Sequence, residues 1–168
     1  MAVVRSVKLA VLPAHRQKRS KMENTDPIVY FRGQHHFLSN FFPVELIFNG
    51  IHFTTLEHAY QAAKSYDIDG MYNIQQCTTA GKAKRMGQKL ELRHDWEEVK
   101  IMVMTGLVYK KFRHPELAFM LMDTRDRELI EGNKWGDIFW GRVYKDGKWV
   151  GKNNLGKILM EVRKFLRN

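Results

Sequence analysis

A carboxylate, an amide and an amine share one stripe of an otherwise apolar segment, TTLEHAYQAAKS, at residues 54–65. Glu57, Gln61 and Lys64 are spaced by four and three residues, so a helix places them on one face. One interpretation is a solvated surface ladder, worth about 0.3 kcal/mol per pair. However, Glu57 and Lys64 are the only charged residues between positions 54 and 66, which leaves no broad solvated face. The stripe therefore favours a pocket wall, where a buried carboxylate can act as a general acid or base.

A second carboxylate, Asp137, lies in the aromatic segment KWGDIFWG. Gly136 and Gly141 allow the backbone to approach a ligand closely, and Trp135 and Trp140 offer faces that stack on a planar ring. The alternative is a buried aromatic cluster in which Asp137 caps a turn. Three of the four Trp residues lie between positions 135 and 149, a density that is unusual for packing alone.

The loop segment LSNFFP is a third candidate, because Ser39 and Asn40 stand between Leu38 and Phe41. Composition favours an Asx or left-handed turn that is anchored by buried Phe side chains. The functional alternative is a polar clamp on a ligand hydroxyl or on the edge of a base.

The seven His residues predict no metal site. His35 and His36 are adjacent, so an extended chain points them to opposite faces. His52 and His58 have no third ligand at helical spacing. Cys77 has no base beside it in the sequence and is predicted to be a small core residue. No Gly-rich phosphate loop of the P-loop or dinucleotide type is present in the sequence.

The elements that must position these residues are short strands and helices. Strands are predicted at 28–33 and 127–132, and hairpins within 44–53 at Asn49-Gly50 and at Asp146-Gly147. Helices are predicted over 56–65, 78–90, 94–112 and 115–122, and after Asn153 or Asn154, with a Thr cap on the first two. This order predicts a compact, helix-rich α+β domain.

The helix over 94–112 is the longest predicted element, and Asp95 is expected to cap it. Lys110 and Lys111 lie in its last turn, where their charges suit the negative end of the helix dipole. The helical period predicts a stripe that faces the core, made of Val99, Met102, Val103, Gly106 and Leu107.

The chain has 168 residues, one Cys and a net charge of +10. This length suits one domain, and a single Cys excludes an intrachain disulfide and fits a reducing compartment. No run reaches the roughly 18–20 apolar residues that span a bilayer. Residues 1–22 carry six Lys or Arg and no acid, so removing these six charges from +10 leaves +4. Most of the basic charge therefore precedes the predicted domain, 27–168.

Three interpretations of the basic segment stay open: a transit peptide, a basic arm for nucleic acid or a membrane surface, and an extension upstream of a start at Met22. We expect residues 1–26 to form a weakly ordered or disordered extension. The predicted compartment is the cytoplasm, with an organelle as the alternative if the segment is a transit peptide.

Several segments, in this order, resemble the NADAR family of YbiA-like N-glycosidases. They are FLSNFFP, TTLEHAYQAAK, AGKAKRMGQ, DWEEVKIMVM, WGDIFWG and GKNNLGKILMEVR, and the resemblance covers about residues 28–166. It implies a YbiA-like fold and hydrolysis of N-glycosidic bonds, with no metal and no cofactor. Family activities include cleavage of phosphoribosylamino-pyrimidine intermediates of riboflavin biosynthesis, a form of metabolite damage control, and removal of ADP-ribose from guanine in DNA.

The resemblance also implies roles for individual residues. It implies functional positions at Glu57, Trp96, Asp137 and Trp140. It further implies that the sugar, phosphate or base is bound by Asn40, Gln61, Lys64 and Asn154.

On this basis Glu57 and Asp137 form the expected catalytic pair. One stabilises an oxocarbenium-like sugar and activates water, and the other orients a sugar hydroxyl or the leaving group. Lys64, together with Arg32 or Lys82, is expected to neutralise a phosphate. The two carboxylate roles stay unassigned at this point.

Two interpretations without hydrolysis stay open. A nucleic-acid-binding module is favoured by the basic segment and predicts an affinity that falls steeply with salt. An ADP-ribose or NAD-binding domain predicts stabilisation by its ligand without product. The intact motifs around Glu57 and Asp137 favour the enzyme, whose expected partner is a phosphorylated ribosyl-nucleobase or ADP-ribosylated DNA, with no membrane involved.

Overall fold

The computed structural model describes residues 25–168, in which three short strands are followed by five helices, four more strands and a last helix. The helices are α1 (Leu56–Ala62), α2 (Ile68–Gln75), α3 (Ala80–Gly87), α4 (Trp96–Lys111), α5 (Pro115–Asp123) and α6 (Asn154–Arg167). The strands are β1 (Ile28–Val29), β2 (Pro43–Phe48), β3 (Ile51–Thr55), β4 (Leu129–Ile130), β5 (Gly132–Asn133), β6 (Arg142–Lys145) and β7 (Lys148–Val150). A 3-10 helix covers Gly33–Leu38. This architecture confirms the predicted α+β fold class.

The basic segment at residues 1–22 lies outside the described residues, and its three interpretations stay predictions together with the compartment. Among the helices of residues 25–168, none combines the length and the apolar character that crossing a bilayer requires.

Two hairpins form where Gly follows Asn or Asp. β2 and β3 pair antiparallel around Asn49 and Gly50, whose φ angles are 48° and 77°. β6 and β7 pair antiparallel around Asp146 and Gly147, whose φ angles are 49° and 79°. Two consecutive left-handed residues match the right-handed twist of the flanking strands. Both predicted turns are confirmed.

The strands predicted at 28–33 and 127–132 are shorter than expected. β1 ends at Val29, and the next residue, Tyr30, adopts a left-handed φ of 62° that turns the chain out of the extended conformation. β1 pairs in parallel with β4, and β5 pairs in parallel with β6. Glu131 stands alone between β4 and β5, where the chain passes from one small sheet to the other.

α1 is the element around which much of the domain packs, and all seven of its residues are buried. It contacts α2, α3, α4 and the hairpin of β2 and β3. Ala59 and Ala62, each 0% exposed, have side chains small enough for these neighbours to approach closely. The Oγ1 of Thr55 accepts a hydrogen bond from the N–H of His58 at 3.2 Å, which confirms the predicted cap.

α2 is a helix that the sequence pattern did not predict. Its first turn contains Gly70, which lowers helix propensity, and only Gly70, Met71 and Ile74 of its eight residues are buried. The Asp67 carboxylate caps it by accepting hydrogen bonds from the N–H groups of Asp69 and Gly70, at 3.1 and 3.0 Å. Packing on α1 and α3 then stabilises a helix that would be marginal in isolation.

Two residues that were predicted to cap helices use their side chains in other contacts. The Asp95 carboxylate precedes α4 but pairs with the guanidinium of Arg93, at 2.5 and 2.8 Å. This hydrogen-bonded partner lowers the pKa of Asp95 to about 2. Asn153 precedes α6 in a left-handed conformation, and its side chain joins Leu129 and Glu131. Neither side chain caps its helix.

The buried face of α4 differs from the predicted stripe. Met102 is 67% exposed and Gly106 is also exposed, whereas Met104 and Leu107 are buried. Lys111 lies in the last turn of the helix, as predicted, but it is buried as well. The rotation of α4 about its axis is therefore determined by the residues that pack against it, and the spacing of its apolar residues alone does not predict it.

Lys111 is a charged residue whose burial in the core the sequence did not predict, and only 1% of its surface is exposed. Its Nζ donates a hydrogen bond to the carbonyl of Ser39 at 2.7 Å, and the rings of Phe42 and Phe112 lie 5.4 Å away. Burial lowers the pKa of Lys111 to about 7. This ammonium therefore ties α4 to the loop that carries Ser39 and Asn40.

Lys111→Met should reduce the dependence of stability on pH between about 7 and 10.5. The folded pKa lies below the ordinary value of 10.5, so in this window the unfolded chain binds a proton that the folded chain lacks. The free energy of unfolding then rises with pH by up to about 1.4 kcal/mol per pH unit, and the variant should lack this rise. Denaturant unfolding across the window measures the slopes, with Lys110→Met at an exposed neighbour as control. Equal slopes in wild type and Lys111→Met would contradict the buried charge.

Candidate active site

A cavity of about 570 Å³ opens beside α1, within the volume range of small-molecule sites. Its walls come from the loop at 39–41, from α1, α3 and the N-terminal half of α4, and from the segment 131–140. Seven of the eight residues predicted to be functional line it, namely Asn40, Glu57, Gln61, Lys64, Trp96, Asp137 and Trp140. The fold thus brings together side chains that are up to 100 positions apart in the sequence.

Glu57 lines this cavity from the first turn of α1 and is only 5% exposed. The Nε2 of Gln61, one helical turn later, donates a hydrogen bond to the Oε1 of Glu57 at 2.7 Å. Burial raises the pKa of Glu57, while the Gln61 hydrogen bond and the charges of Lys84 and Lys64 oppose the rise. A carboxylate that is desolvated yet surrounded by donors has the environment of a working acid or base.

Gln61 is held by the close approach of α3. A Cβ atom at Gly87, in the last turn of α3, would lie 2.1 Å from the Oε1 and 2.8 Å from the Cβ of Gln61, so glycine is required there. The Oε1 of Gln61 is buried and accepts no hydrogen bond from residues 25–168. The amide therefore orients Glu57 through its N–H, while its oxygen packs against Gly87 of α3.

Two ammonium groups flank the Glu57 carboxylate. Burial lowers the pKa of Lys64, an effect that Glu57 opposes and Lys84 reinforces. Lys84 lines the cavity from α3, with its Nζ 5.8 Å from the ring centroid of Trp135. Together they place positive charge beside a carboxylate that would otherwise be buried without compensation.

Of the three cations expected to neutralise a phosphate, two line the cavity, namely Lys64 and Arg32. Lys82 does not, because it is exposed and donates a hydrogen bond to the Oγ1 of Thr78 at 2.9 Å. Two residues further along α3, Lys84 has the position that the sequence assigned to Lys82.

Asn40 joins the cavity through a loop that is fixed on both sides. Its carbonyl accepts the N–H of Glu57 at 3.0 Å, and the preceding carbonyl, that of Ser39, accepts the Lys111 ammonium. The Asn40 Nδ2 lies 3.6 Å from the sulfur of Met104. Its Oδ1 is buried and accepts no hydrogen bond from residues 25–168.

Three aromatic rings form one wall. The ring of Tyr60 lies 5.2 Å from that of Trp96 and 5.6 Å from that of Trp140, measured between centroids. Burial, reinforced by the charge of Glu57, raises the pKa of Tyr60, so this phenol stays protonated. Trp135 is 60% exposed at the opening of the cavity.

The predicted turn cap at Asp137 is confirmed, and its contact with a ligand stays a prediction. Its Oδ1 accepts the N–H groups of Phe139 and Trp140 at 3.0 and 2.8 Å, which makes it a turn cap. Its own backbone is fixed by the side chain of Asn133, at 2.9 and 2.7 Å. It also lines the cavity, so the turn holds one carboxylate in a set orientation towards a ligand.

Glu131 is a cavity residue that the sequence analysis did not identify. It lines the same cavity, and burial raises the pKa of its carboxyl to about 7. The available signal was an acid directly before Gly132 in the apolar run LIEG. It was hidden because the run was treated as one strand, in which a single acid is ordinarily a solvated residue.

Asn154 is the predicted site residue that does not line the cavity, although its neighbour Leu155 does. Its Nδ2 is buried and donates to no acceptor among residues 25–168. The same residues contain no group of three His, Cys, Asp or Glu placed to hold a metal ion.

Comparison with known proteins identifies the class to which this fold and cavity belong. The NADAR domain model matches residues 29–167. The NMR structure of Escherichia coli YbiA superposes with a TM-score of 0.74 at 31% identity and covers 93% of this chain and 94% of YbiA. The chain belongs to the NADAR domain family, which confirms the resemblance inferred from its motifs.

Curated relatives narrow the class further. An N-glycosidase of Nostoc punctiforme is 37% identical over 136 residues, which cover 77% of this chain and 85% of that protein. E. coli YbiA, also named an N-glycosidase, is 36% identical over 131 residues, or 76% of this chain and 79% of YbiA. A riboflavin biosynthesis protein of Vibrio vulnificus is 35% identical over 146 residues, which cover 84% of this chain but only 39% of that relative's length. The chain is an enzyme of the N-glycosidase class.

Glu57→Gln should stabilise the protein at neutral pH. The pKa of Glu57 in the folded protein is raised above the ordinary 4.5. Ionisation of Glu57 therefore does not reduce the free energy of unfolding below pH 4.5, and it reduces it most once the pH exceeds the folded pKa. We expect a gain in unfolding free energy on the order of 1 kcal/mol at pH 8 and little gain at pH 4. Denaturant unfolding at both values tests this, with Glu161→Gln on the exposed face of α6 as control. A loss of stability at pH 8 would overturn the interpretation.

Proposed function

We propose that this enzyme hydrolyses the N-glycosidic bond between a 5-phosphorylated ribose and an amino-pyrimidine, of the kind formed in riboflavin biosynthesis, and releases ribose 5-phosphate. The observation that carries the proposal is the arrangement of charge in one cavity. Four carboxylates line it, namely Glu57, Glu97, Glu131 and Asp137, with four cations, Arg32, Lys64, Lys84 and Lys100. The name of the Vibrio vulnificus relative adds independent support for this substrate class.

The cations support a phosphorylated substrate. Lys100 pairs with Glu97 on the first turns of α4, so this pair balances itself. Arg32, Lys64 and Lys84 are left to face the other three carboxylates and the ligand space. A phosphate accepts charge-assisted hydrogen bonds from such groups, and a substrate with this charge is drawn into the cavity.

The carboxylates support N-glycosidic cleavage. Breaking the bond between C1′ and nitrogen builds positive charge on the sugar ring, which a nearby carboxylate stabilises. Glu57, held by Gln61, is assigned this role and the activation of water. Asp137, oriented by two backbone N–H groups, is assigned the orientation of a sugar hydroxyl or of the leaving group.

The aromatic wall supports a planar leaving group. Trp96 is 5% exposed and Trp140 is half-buried, and both contact Tyr60. Rings of this kind stack on a base and exclude water from the reacting bond. The side-chain amides of Asn40 and Gln61, both of which line the cavity, suit the amino groups of a pyrimidine or the hydroxyls of a ribose.

A second candidate function is the removal of ADP-ribose from guanine in DNA. The observation that favours it is Trp135, exposed at the cavity opening and stacked by the Lys84 ammonium. An exposed ring beside a cation is the usual platform for a base of single-stranded nucleic acid. The assay below separates the two substrates.

Wild-type protein should release ribose 5-phosphate from a phosphoribosylamino-pyrimidine, and mass spectrometry detects the product. Glu57→Ala and Asp137→Ala should each lower turnover about 10²–10⁴-fold, because each removes a positioned acid or base. Glu161→Ala, on the surface of α6, should turn over at the wild-type rate.

The same assay with ADP-ribosylated single-stranded DNA defines the alternative. Free ADP-ribose from that substrate alone would favour the second function. Near-normal turnover in both folded carboxylate variants would exclude the assigned pair, and neither product from wild type would exclude both functions.

Lys84→Ala should raise KM for the phosphorylated substrate, whereas Lys82→Ala should not. Lys84 lines the cavity and Lys82 does not, although both lie on α3 and carry the same charge. A lost hydrogen bond to a phosphate should reduce kcat/KM about 10- to 100-fold. Steady-state kinetics of the two variants measure the difference, and equal effects would mean that Lys84 acts through general surface charge.

A further inference from the structure

Glu131 occupies a position that the fold builds around its backbone. The N–H of Glu131 donates a hydrogen bond to the Oδ1 of Asn153 at 3.0 Å, and its carbonyl accepts the N–H of Arg142 at 2.9 Å. A Cβ atom at Gly141 would lie 2.2 Å from that carbonyl oxygen, so the neighbouring strand approaches as closely as glycine allows. The residue is therefore fixed from both sides while its side chain lines the cavity.

One oxygen of the Glu131 carboxyl group has no donor to support a negative charge. Its Oε2 is buried and accepts no hydrogen bond from residues 25–168. An ionised carboxylate oxygen without a donor is costly to bury, whereas a protonated carboxyl carries a proton that it can give to a ligand. The geometry thus favours the protonated form of this group.

The charges that face Glu131 act in both directions. Burial raises the pKa of Glu131 most, and the negative charges of Asp137 and Glu57 add to the rise. Lys84 from α3 and Arg32 from the loop after β1 oppose it, and the resulting pKa is about 7. At neutral pH a large fraction of the enzyme therefore holds this proton.

We propose that Glu131 is a further catalytic residue, the acid that protonates the leaving nitrogen; this inference rests on the proposed function. The bond between C1′ and nitrogen breaks, its electron pair stays on nitrogen, and the Glu131 proton converts that nitrogen to the free amine. A water oxygen bonds to C1′, and the water gives its proton to the Glu57 carboxylate. The sugar leaves with a hydroxyl on C1′, and solvent returns a proton to Glu131 and removes one from Glu57.

Of the other three carboxylates that line the cavity, Glu97 is paired with Lys100, and the remaining two suit this acid role less well. The Oδ1 of Asp137 already accepts two backbone N–H groups, an arrangement that supports a charged carboxylate. Burial raises the pKa of Glu57, but the Gln61 amide and the charges of Lys84 and Lys64 oppose that rise, and the Gln61 N–H is a donor of the kind that the Oε2 of Glu131 lacks. Three carboxyl groups in one cavity thus differ in their donors, and such differences divide acid and base roles between carboxyl groups.

The test is the pH dependence of kcat/KM for Glu131→Gln, with Glu128→Gln from the exposed start of the same segment as matched control. Wild-type kcat/KM should fall above about pH 7, tenfold per pH unit, as the acid loses its proton. Glu131→Gln should be about 10²–10⁴-fold slower and should lack this fall. Glu128→Gln should match wild type. A merely structural role would lower the rate without removing the alkaline limb.

A second measurement does not depend on turnover. Carboxyl ¹³C NMR of the free protein, assigned by the signal lost in Glu131→Gln, should show Glu131 titrating near pH 7. Asp137→Asn should lower that midpoint, because the Asp137 charge raises the pKa of Glu131.

The possible outcomes distinguish a failure of the acid assignment from a failure of the proposed function. Turnover by wild type together with an unchanged alkaline limb in Glu131→Gln, or a Glu131 signal that titrates below pH 5, would overturn the acid assignment alone. Wild-type protein that releases no ribose 5-phosphate would overturn the proposed function, and the acid assignment with it.

Discussion

The burial of one carboxylate, Glu57, is the constraint on which the rest of the site depends. It lies on a helix whose seven residues are all buried, so its charge has lost most of its hydration. The Gln61 amide, one helical turn away, and the ammonium groups of Lys64 and Lys84 offset part of that cost. Gly87 in turn brings α3 close enough to hold Gln61 in place. Under the proposed function, a change at Glu57 that stabilised the protein would also remove the chemistry, as is common where function needs a costly buried group.

Three of the four carboxyl groups that line the cavity have surroundings that differ for physical reasons that can be named. Glu57 is desolvated but paired with donors, Asp137 caps a turn through two backbone N–H groups, and Glu131 has an oxygen with no donor among residues 25–168. The free energy of ionisation therefore differs among the three carboxyl groups. One cavity can in this way hold a stabilising charge, an orienting group and a proton donor at the same pH.

Residues outside the cavity hold this arrangement in place. Lys111 is buried in the core and binds the carbonyl of Ser39, while the next carbonyl, that of Asn40, accepts the N–H of Glu57. Asn153 joins Leu129 to Glu131 across the start of α6. Both contacts connect elements that are far apart in sequence, and both use polar groups whose burial is favourable only when they are hydrogen-bonded. The precision of the site thus comes from the polar contacts of the core as well as from the helix that carries Glu57.

Local physics made part of this protein predictable from its sequence. A helix places residues four apart on one face, so the pairing of Glu57 and Gln61 on α1 followed from their spacing, whereas Lys64 lies beyond the end of α1 at Ala62. Asn-Gly and Asp-Gly determined the two hairpin turns. Only the tertiary structure decided which charges are buried, since burial depends on contacts between distant segments. It placed Lys84 in the cavity in place of Lys82, buried Lys111, stabilised a weak α2, and turned Glu131 from an acid in an apparent strand into a group facing a ligand space.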